Sequence, residues 1–280
     1  MIWQRSMALT FRGWKKANCK RFTLTHQKSA RSVDVRLASD FSSVTKGAVM
    51  TRPPRDAGFF RIWSPEMAYI LGYWWADGYM RIHPTTNGHF IEIASVDRDH
   101  LVLMAEIIDF RYSIRKVTAG SECCDIIFCS KEMYGDLLAL GGMPNKSNVI
   151  GFPIIPPELV SHFVRGFIDG DGTLAWNGDR PILQIYSGSP QLLFDMAQAI
   201  EAATGIPAPN VIANRALWCL KWSTTRAKCL VGWLYVDNAG MALARKFVIA
   251  QKFLQWQPKK RPERGTITEE MRQKFATYLS

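Results

Sequence analysis

No apolar run in this 280-residue chain reaches the roughly 18 residues needed to cross a bilayer, because the most apolar stretches are cut by Asp77, Arg165 and Asp169. A helical membrane protein is therefore not expected, and neither is a membrane partner. The six cysteines (Cys19, Cys123, Cys124, Cys129, Cys219, Cys229) lack CxxC spacing, and no secretory signal is evident. They read as reduced thiols of an intracellular protein, in a bacterial cytoplasm or nucleoid or in an organelle. No His/Cys set has the spacing of a zinc site. The chain neither starts with Cys or Ser nor ends in His-Asn, so an intein splicing module is not expected. Acids are scarce at the start, with none before Asp34.

Residues 1–60 hold 12 Lys/Arg against 3 Asp/Glu, a net of +9 out of the chain's +11. The remainder is nearly balanced, so bulk charge argues for a polyanionic partner mainly through the first residues. Residues 1–58 show no sustained apolar period and are expected to be a flexible extension. An arm on a phosphate backbone, an organellar transit peptide and an upstream extension without a fold all remain open for it. The chain as a whole is 48% hydrophobic with ten tryptophans, ample for a packed core.

Two stretches organise that core, ILGYWWADG at 70–78 and VRGFIDGDG at 164–172. Each has glycine third and an acid before a final glycine, and the acids, Asp77 and Asp171, stand 94 residues apart. That interval suits a duplicated subdomain. The first helix is announced by Ser64-Pro65-Glu66, an N-cap, an N1 proline and an acid on the positive helix end. Gly78 is expected to end it in a left-handed conformation. A hairpin about Asn87-Gly88, a helix over 100–110, a second hairpin (113–130) and a helix over 131–142 follow. After a linker with four prolines (143–157), the order repeats: a helix from near Glu158 to Gly172, hairpins about Asn177-Gly178 and Asn214-Arg215, and intervening helices. A capping box at Thr266 and Glu269 opens a C-terminal helix. The expected organisation is an extension (1–58), a first subdomain (59–142), the linker (143–157), a second subdomain (158–256) and a charged break with a helix (257–280).

Gly72 and Ala76, like Gly166 and Gly170, lie four apart, which lets two helix backbones approach closely. Packed in parallel, the helices would bring Asp77 and Asp171 together at two negative helix ends, an unfavourable pair unless a cation bridges them. Oxygen ligands in small number point to Mg²⁺, completed by water and substrate phosphate. The hairpins of each repeat would form a four-stranded sheet with one face free. Side chains that suit base edges in a major groove are Arg81, His83, Thr85 and Asn87, placed on one side of the first strand. Glu92, Arg115, Lys116, Asn177, Gln184, Arg215 and Lys221 are further candidates.

The two stretches resemble the LAGLIDADG motif, and residues 60–256 are similar to a two-motif, single-chain LAGLIDADG homing endonuclease. The second copy matches closely; the first departs at its sixth position, where Trp75 replaces an acid. The strings NKS (145–147), FPIIPPE (152–158) and LARKF (243–247) are also similar to family patterns. The resemblance implies an α+β fold of two αββαββα units with pseudo-twofold symmetry, whose two antiparallel four-stranded sheets form a DNA-binding saddle. It implies Mg²⁺-dependent hydrolysis of both strands at a long duplex site by a monomer, with Mn²⁺ as a substitute. It places the metal at Asp77 and Asp171 with the adjoining Ala76 and Gly170, and a lysine near each active centre, Lys146 and Lys246. Asp169 is assigned either to the surroundings of the metal or to the helix end, and Ser95 and Ser187 to ordering water. The alternative is an intron RNA maturase or a DNA-binding protein that does not cut; retention of both acids favours the enzyme.

Overall fold

Helix α1 (Pro65–Asp77) starts where Ser64 accepts the Met67 amide on its side chain at 3.1 Å, with Pro65 in the first turn. Every residue from Met67 to Trp75 is buried, as expected of a helix with apolar residues on nearly all sides. Gly78 leads directly into strand β1 (Gly78–Ile82). Its φ of −80° is extended, contrary to the left-handed expectation. Glycine is needed there for space, since a Cβ would meet the Trp74 ring and carbonyl.

Strand β2 (His89–Ser95), helix α2 (Arg98–Ile108), strands β3 (Tyr112–Lys116) and β4 (Cys124–Cys129) and helix α3 (Lys131–Ala139) complete the first unit. Helix α4 (Val160–Asp171) opens the second, after a 3₁₀ turn at Pro157–Leu159. Strands β5 (Gly172–Asn177) and β6 (Arg180–Ser187), helix α5 (Pro190–Thr204), strands β7 (Ile212–Asn214) and β8 (Leu217–Ser223), and helices α6 (Thr224–Tyr235) and α7 (Ala244–Gln255) follow. Helix α8 covers Glu269–Lys274. The computed structural model describes residues 58–118, 120–258 and 269–276, all within the unit Pro54–Ser280. The basic stretch up to residue 57 and the Thr266 cap lie outside the described residues.

The sheets have the same order, β1-β2-β4-β3 and β5-β6-β8-β7, all antiparallel. The registers correspond: Gly78 faces Ile93 as Gly172 faces Ile185. This is the duplicated α+β architecture, with two pseudo-symmetric αββαββα-like units. On each sheet one set of alternating residues joins the core (Met80, Ile91, Ile93, Ile126; Leu174, Leu183, Ile185, Leu220). The other set forms the opposite, polar face.

The seam between units is α1 against α4. A Cβ on Gly72 would strike the Phe163 carbonyl, and a Cβ on Gly166 would strike the Tyr69 carbonyl. Because 72 and 166, like 69 and 163, are 94 residues apart, these contacts are one contact applied twice about a local twofold. The units also touch beyond α1 and α4. Arg245 pairs with Asp97 of the first unit at 3.0 Å, while Ser147 and Asn148 lie against Gly188 of the second.

Two local expectations change. Strand β1 ends at Ile82, so His83, Thr85 and Asn87 do not line its face. Pro84 has no N–H for a ladder, and the chain turns instead. The His83 ring Nδ1 accepts the amides of Thr85 (3.3 Å) and Thr86 (3.2 Å), and Asn87 takes φ 52°. Arg215 likewise sits at a hairpin tip with φ 57°.

Candidate active site at the paired helix ends

Asp77 and Asp171 are the last residues of α1 and α4, both half-buried, at the step from helix to first strand. A Cβ built on Gly170 would lie 3.2 Å from Asp77 Oδ2, so the Asp77 carboxylate stands against the residue that precedes Asp171. Both acids lie at negative helix ends and within electrostatic reach of one lysine, Lys246. Like charges so placed favour a bound cation. Among the described residues no group of three or more His, Cys, Asp and Glu is arranged to hold a metal ion. Two carboxylates offer few protein oxygens, so a cation held by them would take the rest of its shell from water or substrate.

The two lysines cap the helices that carry the acids. Lys146 Nζ donates to the carbonyls of Trp75 (2.7 Å) and Ala76 (3.2 Å) and lies 5.3 Å from the Trp74 ring centroid. Lys246 Nζ donates to Ile168 O (2.5 Å), Asp169 O (2.8 Å) and Gly172 O (2.8 Å). Helix ends leave such carbonyls without intrahelical partners, and an ammonium both satisfies them and offsets the dipole. Lys246 bonds carbonyls on either side of Gly170 but not that of Gly170 itself. Both lysines are buried. Burial pushes the Lys246 ammonium down to about 8, as does neighbouring Arg245, while Asp169, Asp77 and Asp171 push it back up. Three carbonyl acceptors use all three ammonium protons, so it is charged at neutral pH.

Asp169, two residues before Asp171, is fully buried and fully engaged. It accepts from the Tyr69 hydroxyl (2.7 Å), the Tyr235 hydroxyl (2.8 Å) and the Leu243 amide (2.8 Å). Because Tyr69 gives its proton to Asp169, the 2.8 Å contact of its oxygen with His100 must be donated by His100 Nε2–H. This fixes the tautomer, and burial holds the His100 pKa below its usual range. The chain His100–Tyr69–Asp169 runs from α2 through α1 into α4 and so ties the units together. Trp75 replaces the acid in the first copy, and its indole N–H donates to Gly151 O at 2.9 Å.

Arg165 is buried behind the same helix. It holds the 234–241 loop through the carbonyls of Leu234, Asp237, Asn238 and Met241, and its Nη2 lies 2.9 Å from His162 Nδ1. Neither His100, Tyr69, Tyr235 nor Arg165 was singled out as a site residue from sequence. The signal was present as polar tips at i, i+4 (Tyr69, Tyr73) and a lone arginine inside an apolar run. Ser95 and Ser187, expected to order water, accept the amides of Asp97 and Ser189 (3.1 Å each) where the strands turn into helices, and Ser95 also accepts the Tyr73 hydroxyl at 2.9 Å.

No family model and no curated protein matches the chain. Solved structures do. Mesophilic variants of the homing endonuclease I-DmoI align over 67% of this chain and 97% of theirs, at 13% identity and TM-score 0.48. The homing endonuclease I-WcaI bound to its DNA recognition sequence aligns over 72% and 95%, at 11% and 0.46. Full-length DUF199/WhiA from Thermatoga maritima aligns over 80% and 71%, at 14% and 0.47. The element order and sheet topology of this chain are those of a duplicated αββαββα-like fold. Likeness at this level concerns the course of the backbone and leaves activity to the chain's own residues.

The polar sheet faces hold most of the remaining candidates. Arg81, Glu92 and Arg115 share the face of the first sheet with Asp125; Asn177, Gln184 and Lys221 share that of the second. Lys116, at the end of β3, has the opposite parity. Glu92 is buried beneath two arginines, at 3.0 Å from Arg81 and 3.4 Å from Arg115. Gln184 donates weakly to Cys219 Sγ at 3.8 Å, and Lys221 is exposed.

Proposed function

We propose that the protein is a site-specific double-stranded DNA endonuclease that hydrolyses one phosphodiester on each strand with a divalent metal. The observation that carries this reading is the Asp77 carboxylate held against Gly170, beside Asp171, by two helices too close for side chains at Gly72 and Gly166. Asp77 and Asp171 would hold the cation, with Ala76 and Gly170 adjoining. A divalent ion bound there would activate water and stabilise the leaving oxygen. Mg²⁺ suits the donor set, and Mn²⁺ would substitute.

The chain's own residues supply the setting. Lys146 and Lys246 hold the helix ends that present the carboxylates. The Asp169 network fixes α4 against α1, and so fixes one acid relative to the other. The polar sheet faces beside the acids would carry the duplex, with phosphates positioned first and base edges read second. Two acids from two units give one single-chain site for two strands, which fits a monomer.

The reading is tested by incubating the full chain with a pool of randomised duplexes and Mg²⁺, with a chelated control and an intron RNA as a separate arm. Enrichment of one sequence cut on both strands, only with metal, is expected. Tight binding of the RNA with no duplex cut would overturn the reading in favour of a maturase.

A further inference from the structure

The polar face of the first sheet carries two acids where a surface for a polyanion would be expected to carry none. Both are covered: the Glu92 side chain is 11% exposed and that of Asp125 8%. Above them lie two arginines, Arg81 at 34% and Arg115 at 54%. Arg81 gives Nε to Glu92 Oε1 at 3.0 Å and lies 4.7 Å over the Phe90 ring. Arg115 gives Nε and Nη2 to Asp125 at 3.1 to 3.2 Å and Nη2 to Glu92 Oε2 at 3.4 Å.

Arg81 meets its acid through Nε alone and keeps a free end-on pair, whereas Arg115 spends Nε and both Nη2 protons on Asp125 and Glu92. Among the described contacts, both terminal nitrogens of Arg81 and Nη1 of Arg115 have no acceptor. An arginine reads guanine by giving two parallel N–H groups to O6 and N7. A fork already fixed by a carboxylate and a ring has less freedom to lose when it does so. Buried acids neutralise the pair, so these arginines would add little attraction for phosphate in general.

The second sheet has no counterpart. By register, Arg81 corresponds to Ala175, Glu92 to Gln184, Asp125 to Cys219 and Arg115 to Ile212. The duplication kept the backbone and left this cluster on one side only.

We propose that Arg81 is a guanine-reading fork set by Glu92, with Arg115 and Asp125 holding Glu92 beneath it, and that the protein recognises the two halves of its DNA target by different chemistry. This rests on the duplex-DNA reading above. Glu92 is on this account a positioning residue, beneath the contact and not in it. The first half of the target carries a guanine at one fixed position, and the pseudo-equivalent position of the other half carries no such requirement.

The test is selection of bound duplexes from a random pool by the full chain in chelator, so that the DNA stays whole. The parent is compared with Arg81→Lys, Arg115→Lys, Glu92→Gln, Asp125→Asn and Lys221→Ala. The lysine variants keep the charge, lose the fork and alter only half-exposed side chains, so folding is not at stake. Arg81→Lys is expected to lose roughly ten- to a hundredfold of the preference for the guanine while binding unrelated duplex like the parent, and Arg115→Lys, which acts through Glu92, to lose less. Glu92→Gln and Asp125→Asn free a cation: preference falls, and affinity for unrelated duplex and its salt dependence both rise. Lys221→Ala, on the other sheet, leaves this guanine in place. A parent that selects a site whose guanine survives Arg81→Lys overturns this inference alone. A parent that selects no sequence overturns the DNA reading and this inference with it.

Discussion

The Tyr69 hydroxyl donates to the Asp169 carboxylate at 2.7 Å, and the two residues belong to different repeats. A fully buried carboxylate needs such donors, because desolvation otherwise expels its charge. Tyr69→Phe removes one of three donors and strands His100 Nε2–H, and should cost about 1–3 kcal/mol. Asp169→Ala strands two tyrosines and an amide and should cost more. Urea unfolding of both checks the order; equal, negligible losses would deny the network a role in holding the units together.

The seam predicts opposite effects for two glycines. Gly166→Val pushes a side chain into the Tyr69 backbone and should cost about 3 kcal/mol or more, with cleavage lost alongside. Gly135, within α3, has nothing within 4 Å of an added Cβ, and Gly135→Ala should stabilise by about 0.5–1 kcal/mol through helix propensity. Thermal unfolding of the two variants gives the signs.

The lysine caps predict a ranking. Lys246→Met strands three carbonyls and Lys146→Met two. At about 1–3 kcal/mol for each stranded group, both variants should unfold earlier than the parent, Lys246→Met first. Variants that kept parental stability and lost only cleavage would instead assign the lysines to the chemistry alone.

Acid should loosen the second unit. His162 Nδ1 faces Arg165, which cannot accept, so the ring must offer a lone pair. Burial first, and Arg165 next, hold its pKa below the ordinary value near 6.5, against opposing pulls from Asp237 and Glu66. His100 shifts the same way through burial. As pH falls through 6.5 the unfolded chain takes up protons that the folded chain refuses, so stability is lost downward from there and is full above it. Urea midpoints between pH 7.5 and 5 should fall, and His162→Gln, which keeps an acceptor, should flatten part of the decline.

The fold was legible where local chemistry decides it. Ser64-Pro65 marks a helix start by capping, and glycines four apart on one face mark a close helix pair. What escaped was set by distant partners. Asp169 meets Tyr69 across 100 residues, Tyr235 across 66 and Leu243 across 74, and no spacing rule links them. The proline-rich linker gave no sign that Lys146 would be buried under α1. Gly78 was read by the usual conformational rule, whereas the Trp74 ring is what requires it. Pro84 could have moved the hairpin turn, since a proline cannot serve a ladder between two strands.

The central claim is that the two helix-end acids form one cutting site. It is tested most directly by measuring cleavage of the selected duplex by the parent, Asp77→Asn and Asp171→Asn with Mg²⁺, alongside binding and unfolding of each. The account predicts that the parent cuts both strands, while each variant folds, binds the duplex and fails to produce the double-strand cut. Double-strand cutting by Asp171→Asn at the parental rate would contradict it.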